Sequence, residues 1–196
     1  MAIRPYGEYH SHNPMQTDPA QYHRRSIRLR GYDYAQRGVY FLTICAKGWK
    51  CLFGEVKNGQ VQLSRGGEFV REEWLRSASI RPEIVLDTYV VMPNHFHGIV
   101  AIVRDIRRAP RPNDTIPNRK FKSPSRTVGA LVRSFKAAVT VRVNRIRGTP
   151  GEPVWQRNYY EHIIRDGREF GTMQRYIYEN PMLWSKDTYN PDYMQP

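Results

Sequence analysis

Cysteine is scarce in this chain: two residues, Cys45 and Cys51, among 196. They lack a zinc-like spacing and have no second pair, which excludes a disulfide framework and a thiolate metal cluster. Cys45 falls in an apolar stretch and reads as a buried thiol, so a reducing, cytoplasmic setting is expected. Acid is also in short supply. Asp and Glu number 18 against 31 Lys and Arg, a net charge of +13. That balance points toward a polyanion, either nucleic acid or an acidic membrane surface. No apolar run approaches the roughly 20 residues that span a bilayer. No apolar core follows the first arginine, so a secretory signal is not expected. At 196 residues the chain suits one domain with a proper core rather than two.

The basic residues are clustered. Arg24, Arg25, Arg28, Arg30 and Arg37 face one acid, Asp33, over 24–37. Residues 104–126 hold eight Lys or Arg and four prolines against Asp105 and Asp114. The prolines exclude a regular helix or a central strand there, and a mobile basic loop is expected. Residues 1–23 are polar, rich in Pro, His and Tyr, and are expected to be a disordered tail. His10-Ser11-His12 lies in that tail with no strand to fix its geometry.

Alternation and turn signals lay out the rest. Residues 40–46 read as a first strand, and 54–63 as an extended pair around Asn58-Gly59. Residues 67–77 read as a helix carrying Phe69, Val70, Glu73 and Trp74 at helical spacing. Residues 84–92 and 95–103 form a hairpin through Pro93-Asn94. Residues 125–147 read as a long helix that opens on a capping serine and stops at Gly148. A strand over 154–164 and a helix over 167–180 follow, the latter ended by Pro181. Antiparallel strands with interspersed helices predict an α+β sandwich.

Two places carry chemistry. His95 and His97 are two apart in a strand, so their imidazoles project from one face. Tyr176 and Asn180 are four apart on a helix and share a face beside its apolar stripe of Phe170, Met173 and Ile177. Tyr178 lies about 200 degrees from Tyr176 and points elsewhere. If that helix packs on the His95 strand, two imidazoles and an amide oxygen would surround a metal with a tyrosine beside it. Such a mixed nitrogen and oxygen set would accept magnesium or manganese.

The long helix adds a second signal. Val128, Leu131, Val132, Phe135, Val139, Val143 and Ile146 form its core stripe. Arg126, Arg133, Lys136, Thr140 and Arg147 gather within an arc of about 80 degrees on its flank. That flank suits a phosphate rail, the alternative being a solvated face. Beyond it, Trp155, Tyr159 and Tyr160 interleave with Gln156 and Arg157, a pattern suited to stacking on unpaired bases; a strand core is the alternative, more so for Trp155.

These residues resemble a known family. His95-Phe96-His97, within Val91-Met92-Pro93-Asn94-His95-Phe96-His97-Gly98, has the His, hydrophobic, His pattern of single-tyrosine HUH transposases. Further matches are Arg24-Arg25-Ser26-Ile27-Arg28-Leu29, Tyr32-Asp33-Tyr34, Tyr40-Phe41-Leu42-Thr43-Ile44-Cys45 and Leu52-Phe53-Gly54-Glu55. Arg133-Ser134-Phe135-Lys136, Val154-Trp155-Gln156-Arg157-Asn158-Tyr159-Tyr160-Glu161-His162, Tyr176-Ile177 and Asn180-Pro181 follow in order. The ordered set, over roughly 24–184, resembles the REP-associated tyrosine transposase branch.

The resemblance implies a ferredoxin-like antiparallel sheet with helices on one face, forming a single domain over 24–184 with a tail at 185–196. It implies an enzyme that cleaves and joins single-stranded DNA at hairpin-forming repeats. Tyr176 would be the nucleophile, and His95, His97 and Asn180 would hold Mg2+ or Mn2+. Tyr176 would form a 5′-phosphotyrosine and leave a free 3′ hydroxyl. Arg24, Arg25, Arg28, Arg126, Arg133, Lys136, Arg147 and Arg157 are the candidate DNA contacts. His162 is either a partner behind the metal ligands or a strand residue. The partner expected is hairpin DNA and not a membrane, with the chain working as a monomer or a homodimer. The alternative is a repeat-binding protein without chemistry.

Overall fold

Period-two alternation over two stretches becomes the centre of the molecule: β1 (Gly38–Cys45) and β5 (His95–Ile102) pair antiparallel in the middle of one sheet. The computed structural model describes residues 37–103 and 127–193. Between the central strands lie a 3-10 turn (Lys47–Trp49), the hairpin β2 (Gly54–Lys57) and β3 (Gln60–Leu63), α1 (Arg65–Ile80) and β4 (Ile84–Val91). After β5 come α2 (Val128–Arg147), β6 (Tyr160–Ile164), α3 (Gly167–Glu179) and a 3-10 segment, Asn180–Lys186.

The main sheet has the order β4-β5-β1-β6 with every neighbour antiparallel. Without the inserted β2–β3 pair the chain runs β-α-β-β-α-β, and the fold is ferredoxin-like α+β. Asn58 and Gly59 take positive φ (51° and 73°) and close β2 onto β3, as the Asn-Gly turn predicts.

Strand alternation sends two sets of side chains to opposite faces. Tyr40, Leu42, Ile44, Phe96, Val100 and Ile102 meet Val70 and Trp74 of α1 and Leu131, Phe135 and Val139 of α2 in the larger core. Phe41 and Ile99 face the other way, against Met173 and Ile177 of α3. The helices therefore do not share one face. α1 and α2 cover one side and α3 the other, because α3 buries its Met173-Ile177 stripe on the side that carries His95 and His97.

Three expectations need correction in detail. The N-cap of α2 is Thr127, whose hydroxyl accepts from Ala130 N–H; Ser125 lies outside the described residues. Ile146 is 53% exposed, since the last turn of α2 runs past the core before Gly148 stops it in the left-handed conformation. The 154–164 strand shrinks to β6; Trp155 makes a single bridge to Ala46, and its ring joins Phe53 and Phe135 in the core.

Gly98 is required by a close approach. A Cβ there would stand 2.9 Å from Trp74 Cζ2 and 2.7 Å from Phe96 Cζ. The fully buried Trp74 ring lies directly on this part of β5. Among the described residues no helix is long and apolar enough to cross a membrane.

Candidate active site

The site lies where the end of β1 meets the start of β5. Register pairs Cys45 with His95 and Thr43 with His97, so the histidines and Thr43 share the α3 face. The turn before β5 is locked by backbone bonds: Met92 N–H to His95 O (2.8 Å), Phe53 N–H to Pro93 O (2.9 Å) and Ala46 N–H to Asn94 O (2.8 Å). Both imidazoles are buried. Their rings stand 4.6 Å apart at 69°.

Hydrogen bonding fixes which nitrogen of His95 carries its proton. Asn94 is fully buried, and its Nδ2 donates to Trp49 O (3.1 Å) and Tyr189 O (2.6 Å). Two carbonyls require the NH2 end, so Oδ1 faces His95 Nδ1 at 2.9 Å and must accept. His95 is thus protonated on Nδ1, and its Nε2 lone pair points into the site. His97 Nδ1 lies 2.8 Å from Thr43 Oγ1, with the Leu42 carbonyl also in play, which leaves its Nε2 toward Tyr176. Phe41 stacks on the His97 ring at 5.4 Å.

α3 brings the other two side chains. Asp166 caps its start by accepting from Glu169 N–H. Tyr176 reaches over the sheet; its hydroxyl lies 3.4 Å from His97 Nε2. Asn180, one residue past α3, is buried and lies beside both neighbours: its amide favours the ionised form of the Tyr176 phenol and faces His95. Tyr178 is exposed, as the helical wheel predicts.

The electrostatics follow from burial. Desolvation holds His95 well below the usual imidazole value, aided by His97 and opposed by Asn180. Desolvation likewise pulls His97 down to about 3, opposed by the Leu42 carbonyl. Both rings are neutral at neutral pH and present lone pairs. Burial pushes the Tyr176 phenol up to about 12, with the Asp187 charge adding to the rise and Asn180 opposing it. Burial also raises the Asp187 carboxyl, against a bond from Tyr189 N–H.

A donor set for a cation is present in its chemistry. His95 Nε2 and Asn180 Oδ1 are buried without hydrogen-bond partners. Two lone pairs with no proton between them suit a positive ion. Among the described residues no three His, Cys, Asp or Glu side chains gather on one point by themselves, so the Asn180 amide is needed.

The sequence missed three contributors. The Asp187 side chain is 7% exposed, its Oδ2 3.8 Å from His95 Nε2. Tyr189 packs on His95 at 4.8 Å and stacks with Trp49 at 5.1 Å. Asn94, read from sequence only as a turn residue, holds these pieces together. Asp187 and Tyr189 sit in the stretch after 184, where no periodicity or motif marks them.

Arg24, Arg25, Arg28 and Arg126 lie outside the described residues. Arg133 and Arg147 are exposed on α2, which packs on the face opposite Tyr176, and Arg157 is exposed before β6. Lys136 donates to the carbonyls of Gln156 (2.5 Å) and Arg157 (3.1 Å) and so anchors that segment. His162 Nε2 meets Glu169 Oε1 at 2.6 Å and ties β6 to the first turn of α3. Tyr160 is half-buried against the α3-side core.

No family model matches the chain. An uncharacterized protein of Haemophilus influenzae is 42% identical over 170 residues, spanning 85% of this chain and 92% of its own. Among solved structures, a REP-associated tyrosine transposase bound to a REP hairpin aligns over 81% of this chain and 73% of its own, at TM-score 0.48 and 20% identity. A candidate transposase from Deinococcus radiodurans aligns over 77% of this chain and 95% of its own, at TM-score 0.43 and 15% identity.

Proposed function

The chain belongs to one family with the Haemophilus influenzae protein, and from the site it carries we propose that it is a single-tyrosine HUH transposase of the REP-associated kind, which cleaves and joins single-stranded DNA at hairpin-forming repeats. The observation that carries this reading is the Tyr176 hydroxyl, 3.4 Å from His97 Nε2 and beside the unpartnered lone pairs of His95 Nε2 and Asn180 Oδ1. The ordered motifs and the net charge of +13 support a nucleic-acid substrate.

Tyr176 Oη attacks the scissile phosphorus, an O–P bond forms, and the bond to the 3′ oxygen breaks. The phenol loses its proton and the departing 3′ oxygen gains one. The products are a 5′-phosphotyrosine and a free 3′ hydroxyl. The energy of the phosphodiester is kept in the tyrosyl ester, so rejoining needs no ATP. His95, His97 and Asn180 are the residues that hold a divalent ion, Mg2+ or Mn2+. Such an ion, when bound, supplies Lewis-acid stabilisation of the phosphate charge. The chain's own part is positional. The Asn94 bond aims the His95 lone pair, Thr43 and Phe41 orient His97, and the Asn180 amide lies beside the phenol and favours its ionised form. Because burial holds the phenol up to about 12, it arrives as O–H and must give up its proton as the bond forms.

The test is a denaturing gel of labelled hairpin DNA from repeats flanking the gene, incubated with the protein in Mg2+ or Mn2+. Cleavage with a protease-sensitive covalent adduct, absent with Tyr176→Phe, is the expected result. Tight binding with no cleavage in either metal refutes the chemistry and leaves a repeat-binding protein.

A further inference from the structure

Trp49 holds a backbone conformation that a bulky residue rarely takes. Its φ is 58°, and Gly48 before it stands at φ 64°. Left-handed geometry crowds a Cβ against the backbone, so glycine or asparagine is the usual occupant of such a turn. The strain is held from both sides. Trp49 N–H donates to Ala46 O at 3.2 Å, and Trp49 O accepts from Asn94 Nδ2 at 3.1 Å. A small residue would make this turn more easily, so the indole is explained by what its ring does.

The ring does not fill a core. Trp49 belongs to neither hydrophobic cluster and keeps 37% exposure. One face is stacked on Tyr189, with centroids 5.1 Å apart and planes at 16°. Tyr189 packs in turn on His95 at 4.8 Å. Asn94 joins the two, donating to the carbonyls of Trp49 and Tyr189 while its Oδ1 accepts from His95. The indole is thus an aromatic shelf fixed one ring away from the His95 imidazole. Lys47 and Lys50, on either side of it in the chain, are exposed. A flat π-face between two cations matches a base with its phosphates. The stacking role that the sequence pattern suggests for Trp155 is closed to that residue, which is 5% exposed in the core.

We propose that Trp49 is a stacking platform for an unpaired base of single-stranded DNA in the strand that enters the site, with Lys47 and Lys50 beside its phosphates. This rests on the DNA reading given under Proposed function and names where an unpaired nucleotide is gripped. Every base has a π-face, so the contact gives grip rather than sequence choice.

The test is fluorescence anisotropy of labelled hairpin DNA carrying a single-stranded flank, measured in EDTA and in Mg2+. Single abasic sites are placed in turn along the flank. At one position, loss of the base should weaken wild-type binding about tenfold. Trp49→Gly, which the turn accepts without strain, should bind the intact flanked DNA about tenfold more weakly and become indifferent to that abasic site. Both proteins should bind the hairpin without its flank alike. An abasic scan that is flat along the flank, or a Trp49→Gly deficit that persists without the flank, overturns the platform and leaves the cleavage reading standing. No binding of any of these DNAs by wild type overturns both. If Trp49→Gly does not fold, ultraviolet crosslinking of wild type to flanks carrying iodouracil decides. An adduct on Trp49 supports the platform, and adducts confined to other residues overturn it.

Discussion

Replacing Asn94 by Ala would test whether one buried amide sets both the tautomer of His95 and the seating of the segment around Tyr189. The side chain is fully buried and makes three hydrogen bonds, at 2.9, 3.1 and 2.6 Å. Alanine leaves His95 Nδ1–H without an acceptor in a site closed to water, which costs about 1–3 kcal/mol. It also strips the donor from two carbonyls. The one on Trp49 belongs to a residue 37% exposed, so water can partly replace it. The Tyr189 carbonyl carries the shorter bond and more of the loss. A total near 3 kcal/mol is a large share of a typical stability of about 5–15 kcal/mol. For a domain of this size it corresponds to a fall of about 6–12 °C in thermal midpoint. The second readout is a long-range proton–nitrogen correlation spectrum of the histidine rings. Wild type should show His95 protonated on Nδ1, and Asn94→Ala a mixture of tautomers. Asn94→Asp separates the two roles, because it keeps the acceptor for His95 and loses both donors. A midpoint within about 2 °C of wild type, with an unchanged tautomer, would refute the reasoning.

Acid should unfold the protein through the same pair of imidazoles. The unfolded chain takes up protons on both rings below about 6.5, whereas the folded chain resists until far lower pH for His95 and about 3 for His97. Stability conferred by their neutral burial is therefore whole above 6.5 and falls as pH drops, by up to about 1.4 kcal/mol per pH unit for each ring. Urea midpoints from pH 7.5 to 4.5 should decline accordingly, and His97→Gln should flatten the slope by about half. At Gly98, alanine should destabilise by about 1–3 kcal/mol, since the intruding methyl meets the buried Trp74 ring rather than a yielding surface chain. Near-UV circular dichroism should report the displaced indole, and an unchanged urea midpoint would argue against the tight contact.

Much of this was legible because local patterns and tertiary packing agree. The alternation around His95, the Asn58-Gly59 turn and the Gly148 stop each name their own structure, and the sheet follows from pairing them. Tyr176 and Asn180 needed only helical spacing to be placed together. What stayed hidden depends on relations between elements. An amphipathic α3 declares that one face is buried, not which side of the sheet buries it, so the helices were expected on one face. The apolar period through Ile146 continues past the end of the core it was read to fill. Thr127 caps α2, a choice that its spacing from the apolar stripe does not single out in sequence. Asp187 belongs to a short turn, where one carboxylate looks like any surface acid until its neighbours are known.

The placement of α3 alone on its side of the sheet has a consequence for synthesis. β1, β5, α1 and α2 complete their shared core from earlier parts of the chain. Both histidines can therefore be set in their strand before the tyrosine helix has left the ribosome. A nascent chain at that stage would have a bare imidazole face without Tyr176 over it. Under the proposed function, cleavage would become possible only after the rest of the fold has formed.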